Sequence, residues 1–200
     1  MIETLIQELQ SQSVWDVIVL VTGIIYVLYA SKNNPVCWVW GILCCGILAY
    51  LSFTKYQLYA DAGLNVFYVI MGFVGIYSWQ FGTDRGERAI TNISVTEILV
   101  GIIGGLVVSY FVHHYLSNFT AAVATQLDAV TTVFSIIATI WLVQRKIETW
   151  LLWIIVDILY IYLYFTRGAI LFGILYIVYT IISVRGFIFW RNEKATQYVH

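Results

Sequence analysis

Apolar residues dominate seven stretches of this chain, and short polar breaks separate them. The stretches run over roughly 14–31, 36–53, 58–80, 96–114, 122–143, 147–165 and 169–189. Each approaches the ~20 residues an α-helix needs to cross a bilayer. The breaks are SKNNP, TKYQ, TDRGERAITNIS, HHYLSNFT, QRKIE and TRG. The pattern predicts an all-α membrane protein, with seven transmembrane helices in one domain over 1–200. The first stretch follows the polar, acidic IETLIQELQSQS and has no basic leader. It is expected to be a permanent helix, not a cleaved signal.

Composition supports the membrane class. Of 200 residues, 61% are hydrophobic and only 10% are charged, against about 25% charged in soluble domains. The net charge of -1 gives no basic signature for nucleic acid. Cys37, Cys44 and Cys45 lack CxxC spacing and read as small packing residues. No Cys/His/Asp set has metal-ligand spacing, and His113 and His114 read as a solvated face. No cofactor is expected.

The basic residues orient the helices. Breaks after helices 1, 3, 5 and 7 carry Lys32, Arg85, Arg88, Arg145, Lys146, Arg185, Arg191 and Lys194. The opposite side has only Lys55 and Arg167. The asymmetry predicts a cytoplasmic C-terminus and an external N-terminus.

The chain also repeats itself. WVWGILCCGILAYLSFTK (38–55) aligns without a gap on WLLWIIVDILYIYLYFTR (150–167). One residue dropped later sets Tyr68 on Tyr179, Gly75 on Gly186 and Trp79 on Trp190. The expected organisation is repeat 1 over about 14–80, a linker helix over about 96–114, and repeat 2 over about 122–189. Helices 1 and 5 enter from the same side, so the repeats are parallel. Transporters built from repeats hold their substrate between the halves, near the membrane midplane.

The polar residues fall into stripes. On helix 6, Trp150, Trp153, Asp157, Tyr160 and Tyr164 are spaced 3, 4, 3, 4, which places them on one face. Helix 3 offers Asp61, Asn65, Tyr68, Gly72, Gly75 and Trp79; helix 7 offers Tyr176, Tyr179, Ser183 and Gly186. Helix 5 carries Asp128, Thr132, Ser135 and Thr139, a row that suits either an ion or helix packing. A carboxylate at a helix centre costs about 2.5–3.5 kcal/mol on insertion scales. No Lys or Arg lies at the depth of Asp157. Its carboxyl therefore stays protonated, hydrogen-bonds a neighbouring helix, or meets a cationic ligand. Trp and Tyr rings around a carboxylate suit a flat cation. Asp61 and Asp128 sit nearer the outer ends, where solvated or capping roles compete with a site role. Gly72 and Gly75 suit close helix packing.

These stretches resemble the Pnu family of bacterial vitamin transporters. The resemblance rests on CWVWGI (37–42), LYADAGLNVFYVIMGFVGIYSW (58–79), DAVTTVFSIIAT (128–139) and ETWLLWIIVDILYIYLYFTRG (148–168). It implies a SWEET-like arrangement of three, one and three helices in the bacterial inner membrane. It further implies facilitated diffusion, a homotrimer, and a functional link to a cytoplasmic kinase that traps the vitamin. Family members that carry nicotinamide riboside tend to show a Gln where this chain has Asn65, an Asn where it has Cys44 and an Asn where it has Asp157. That departure places thiamine first among the substrates, with nicotinamide riboside as the alternative.

The expected substrate-binding set is Asp157, Asn65, Trp153, Tyr160, Tyr68, Trp40, Tyr176 and Asp128. Asp157 would bind the charged or amino group, Asn65 would hydrogen-bond, and the rings would line or stack. Two other classes compete. One is a seven-helix light or ligand receptor; its retinal form needs a Schiff-base lysine inside helix 7, and Lys32, Lys55, Lys146 and Lys194 all lie in breaks. An intramembrane enzyme would need Asp128 and Asp157 as an acid/base pair, at depths that do not match. The chain is therefore not expected to be an enzyme.

Overall fold

A computed structural model describes residues 13–55, 57–82, 89–119 and 126–197. The described residues form seven helices: α1 (Val14–Ser31), α2 (Cys37–Thr54), α3 (Tyr59–Phe81), α4 (Val95–Phe119), α5 (Gln126–Val143), α6 (Thr149–Thr166) and α7 (Ile170–Gln197). All seven are long and apolar enough to cross a membrane. No strand occurs among the described residues; Thr91 and Lys146 form an isolated bridge. Arg85 and Arg88, counted in the orientation argument, lie outside the described residues.

Local chemistry explains the helix starts. Ser13 and Asp16 form a capping box at α1: the Asp16 N–H donates to Ser13 Oγ at 3.3 Å, and the Ser13 N–H donates to Asp16 Oδ2 at 2.8 Å. Ser94 and Glu97 do the same at α4. Gly168, at φ +76°, turns the chain between α6 and α7, where an L side chain would be strained. Two ends exceed the apolar pattern. α4 runs to Phe119 and α7 to Gln197. Hydropathy marks where the lipid ends; a helix continues until something stops it. The WRNEKATQ tail contains neither Pro nor Gly.

Helix contacts close a ring. α1 packs on α2, α2 on α3, α3 on α5, α5 on α6, α6 on α7, and α7 back on α1. α4 touches only α5 and lies outside the ring. Gly101 and Gly105 let it approach Trp141, Phe134 and Ile137. Its remaining surface, including Val100, Ile103 and Phe111, is exposed and apolar.

Four tryptophans fill one end of the ring. Trp38, Trp79, Trp150 and Trp190 are almost fully buried with Ala30, Ile90 and Leu142. Successive rings stand edge-on: Trp38–Trp79 at 5.4 Å, Trp79–Trp190 at 5.7 Å and Trp150–Trp190 at 5.5 Å between centroids. The Trp79 indole donates to the Leu142 carbonyl at 3.2 Å, and the Trp190 indole donates to the Ala30 carbonyl at 3.1 Å. Extending the ungapped alignment pairs Ala30 with Leu142, so the two bonds join aligned positions reciprocally. The glycines follow suit: Gly75 lies against Trp38 and Gly186 against Trp150.

The cysteines behave as packing residues. Cys37 and Cys44 are buried and Cys45 is partly so, and all three are free thiols.

Candidate functional site

Asp157 lies half-way along the 18-residue α6 and is 2% exposed. The 3,4 spacing turns it inward with Tyr160 and Tyr164. The Ser183 hydroxyl of α7 donates to Asp157 Oδ2 at 3.4 Å. Asp157 forms no ion pair among the described residues; the pairs present are Lys146–Glu97 and Arg167–Asp128. Tyr176 and Tyr179 of α7 lie within electrostatic reach of the same carboxylate.

A ladder of rings runs from Asp157 to the Arg167 end of α6. Tyr160 and Tyr176 lie 4.6 Å apart between centroids. Tyr164 stacks on Tyr176 at 5.4 Å and on Phe172 at 5.4 Å. From the other side of the ring, Tyr68 of α3 approaches Ser135 of α5 and Tyr160 of α6. Tyr179 reaches across to α1, where its hydroxyl stands 2.7 Å from the place a Gly23 Cβ would occupy. Gly23 thus admits that hydroxyl. The result is an inward cluster of one carboxylate, several phenols and small hydroxyls. Such a cluster can hold a flat cation by charge, stacking and hydrogen bonds.

Tyr68, Tyr160 and Tyr176 are only half-buried within this cluster. Two grooves lie elsewhere. One is apolar, beside Trp15, Ile42, Gly46 and Tyr50. The other lies between α6 and α7, at the tryptophan end.

The predicted site residues divide. Asp157, Tyr160, Tyr176 and Tyr68 gather around the interior. Trp153 packs with Tyr160 against the apolar Ala138, Leu152 and Val156. Asn65 is half-buried, and its amide donates to the Asp61 carbonyl at 2.9 Å. Trp40 is half-buried and stacks on no other ring among the described residues. Asp128 is engaged by Arg167 at 2.6 Å, between the start of α5 and the end of α6. Asp128 therefore stands at the Arg167 end of α6, apart from Asp157.

Several features escaped the sequence reading. Ser183 and Tyr179 were on the helix-7 stripe and only had to be added to the set. Arg145 looked like an ordinary loop charge, yet it is 2% exposed and lies 4.7 Å from the Trp79 ring centroid. The segment 89–93 also gave no signal. It inserts Ile90 among the tryptophans, and the Glu148 carboxylate accepts from Asn92 Nδ2 at 2.7 Å and the Ile93 N–H at 2.9 Å.

The profile of the nicotinamide mononucleotide transporter family matches residues 13–192. This chain belongs to that family. The nicotinamide riboside transporter PnuC of Neisseria mucosa is 32% identical over 185 residues, covering 86% of this chain and 70% of that protein. The nicotinamide riboside transporter PnuC of Escherichia coli is 24% identical over 169 residues, covering 72% and 71%. The crystal structure of the vitamin B3 transporter PnuC superposes with a TM-score of 0.70 at 29% identity, over 90% of this chain and 81% of that one. The family membership and the seven apolar helices make this an integral membrane protein of a transporter family, not an enzyme.

Proposed function

We propose that this protein carries nicotinamide riboside across the bacterial inner membrane by facilitated diffusion. The observation that carries the reading is Asp157: a buried carboxylate with no basic partner among the described residues, faced by tyrosines, in a chain whose relatives are named for this vitamin. The substrate's pyridinium ring is flat and cationic. It suits the carboxylate by charge and the phenol faces by stacking. Thiamine, placed first on sequence grounds, is also a flat cation. The names of the relatives move nicotinamide riboside ahead of it.

Tyr160, Tyr176 and Tyr68 line the site, and their rings stack on the substrate. Trp153, Asn65 and Trp40 remain proposed contacts, and Asp128 acts at the outer mouth. The mechanism is alternating access between repeat 1 (14–80) and repeat 2 (122–189), with 96–114 as linker. Two observations support that division: the reciprocal tryptophan bonds, and the matching seams α1–α7 and α3–α5. The C-terminus lies in the cytoplasm and the N-terminus outside. A cytoplasmic kinase traps the vitamin, and three copies assemble.

Tryptophan quenching of the purified protein tests the substrate. Nicotinamide riboside should bind more tightly than thiamine, riboflavin or a neutral nucleoside. Tighter binding of thiamine would return the assignment to the sequence-based choice. Equal binding of a neutral nucleoside would remove the role given to charge.

A further inference from the structure

A groove of about 510 Å³ opens between the first turn of α6 and the last turns of α7. Its floor is apolar, made by Ile147, Leu151 and Phe187, and its rim carries Arg191 and Lys194. Glu148 also borders it. Both carboxylate oxygens of Glu148 are engaged by Asn92 and the Ile93 N–H, away from the rim cations. Arg191 is exposed and has no ion-pair partner among the described residues. Lys194 reaches the side-chain oxygen of Asn92. The groove therefore offers positive charge above an oily floor.

Its depth matches a lipid boundary. α7 has 28 residues, about 42 Å of helix, against about 30 Å of hydrocarbon. Along it, the exposed apolar Ile181, Val184 and Ile188 give way to Arg191 within one turn. On α6, exposed Leu151, Ile155 and Ile158 extend the apolar wall below the groove. Cations at that level meet headgroups, and basic pockets between helices are suited to anionic ones.

We propose that this groove binds one anionic phospholipid, with its phosphate on Arg191 and Lys194 and its upper acyl chain along Leu151 and Phe187. A soluble phosphate would satisfy the rim but gain nothing from the floor. The bound headgroup sits beside Asn92, so the lipid fastens the 89–93 segment to α7. The proposal rests on residence in a membrane and is independent of which vitamin is carried.

The test uses the full chain in neutral detergent, with melting temperature followed during titration of phosphatidylglycerol, phosphatidylcholine or sodium phosphate. Phosphatidylglycerol should raise the melting temperature, while phosphatidylcholine and sodium phosphate should not. Arg191→Gln should melt normally without lipid and need about fivefold more phosphatidylglycerol, the loss expected for one basic side chain at an anionic surface. Arg185→Gln changes an exposed arginine outside the groove and should respond like the unaltered protein. Stabilisation by phosphate alone would identify a soluble-anion site instead. An equal effect of phosphatidylcholine, a normal response of Arg191→Gln, or an equal loss in Arg185→Gln would each overturn the proposal.

Discussion

Alanine at Gly186 or Gly75 should destabilise the protein, although alanine is the better helix former. A Cβ at Gly186 would lie 2.8, 2.8 and 2.9 Å from Cδ2, Cε2 and Cε3 of Trp150. At Gly75 the new methyl would crowd three atoms of Trp38 more closely still. Neither indole has room to retreat: both are 2% exposed and both are wedged edge-on against a second tryptophan. Relief requires a shifted ring or a displaced helix. Overpacking of this kind costs about 1–3 kcal/mol. Gly46 and Gly63 supply the control, since a Cβ there meets nothing within 4 Å; those changes gain up to ~1 kcal/mol from helix propensity. That gain is common to all four positions, so the two classes should differ by the overpacking alone, about 1–3 kcal/mol, which for a chain of this length is roughly 2–12 °C in melting temperature. Thermal melting of detergent-purified variants, followed by size-exclusion chromatography, measures the difference. In a Trp38→Leu background, Gly75→Ala should cost less than it does in the unaltered protein, because the obstructing ring is gone. If Gly75→Ala and Gly186→Ala melt with Gly46→Ala, the close packing of helix against indole is wrong.

Asp157→Leu keeps the approximate side-chain size but removes charge and acceptors. It should weaken nicotinamide riboside binding at least tenfold, or ~1.4 kcal/mol; unchanged quenching by the vitamin in a folded variant would make the carboxylate structural. Trp190→Phe loses the donor to the Ala30 carbonyl, and Trp79→Phe loses the donor to Leu142. Each should cost about 1 kcal/mol for the bond plus a packing loss, so melting curves that match the unaltered protein would count against both bonds. Glu148→Gln sets an NH2 group against the Asn92 amide or the Ile93 N–H. Amide exchange at Thr91 and Ile93 should accelerate by roughly 5–30-fold, for ~1–2 kcal/mol of local stability, and unchanged exchange would refute the fastening role. Arg167→Gln breaks an ion pair whose side chains are 44% and 26% exposed. Its cost should be within ~1 kcal/mol, and a melting drop beyond about 5 °C would show that this pair does more than join α5 to α6.

Most of the fold was legible because lipid imposes one strong rule, that every spanning segment be apolar and helical. Thus 14–31 was placed to the residue, and the other predicted starts fell within a few residues of the observed helices. α7 overran because polarity ends a span but not a helix. The 3,4 spacing found the helix-6 face, since one stripe of an α-helix shares one side whatever lies opposite. It could not say which stripe meets which. The sequence sets Asp128 nearer a helix end than Asp157, yet only the packing of α5 on α6 brings Arg167 to it. Arg145 and the 89–93 segment were illegible for a related reason. Their burial arises from loops folding back over the tryptophans, and loops carry no periodicity to read.

The ring is symmetric in its frame and asymmetric in its chemistry. Tyr68 and Tyr179 are aligned positions, and so are Ser135 and Gly23. Each tyrosine crosses its seam to the partner of the other's target, Tyr68 to Ser135 and Tyr179 to Gly23. At the next level the halves diverge. The aligned partners of Asp157 and Ser183 are Cys45 and Gly72. Where α6 and α7 hold a carboxylate and a hydroxyl in contact, α2 and α3 pack closely, with Gly72 against Ile42. A second acid at position 45 would place two carboxylates in one buried hollow. With a single cation to share, like-charge repulsion and desolvation would outweigh the gain. One fixed charge on the proposed substrate calls for one acid. The tryptophan and glycine contacts repeat because both halves use the same packing of an indole against a glycine, whereas the proposed site needs its acid only once.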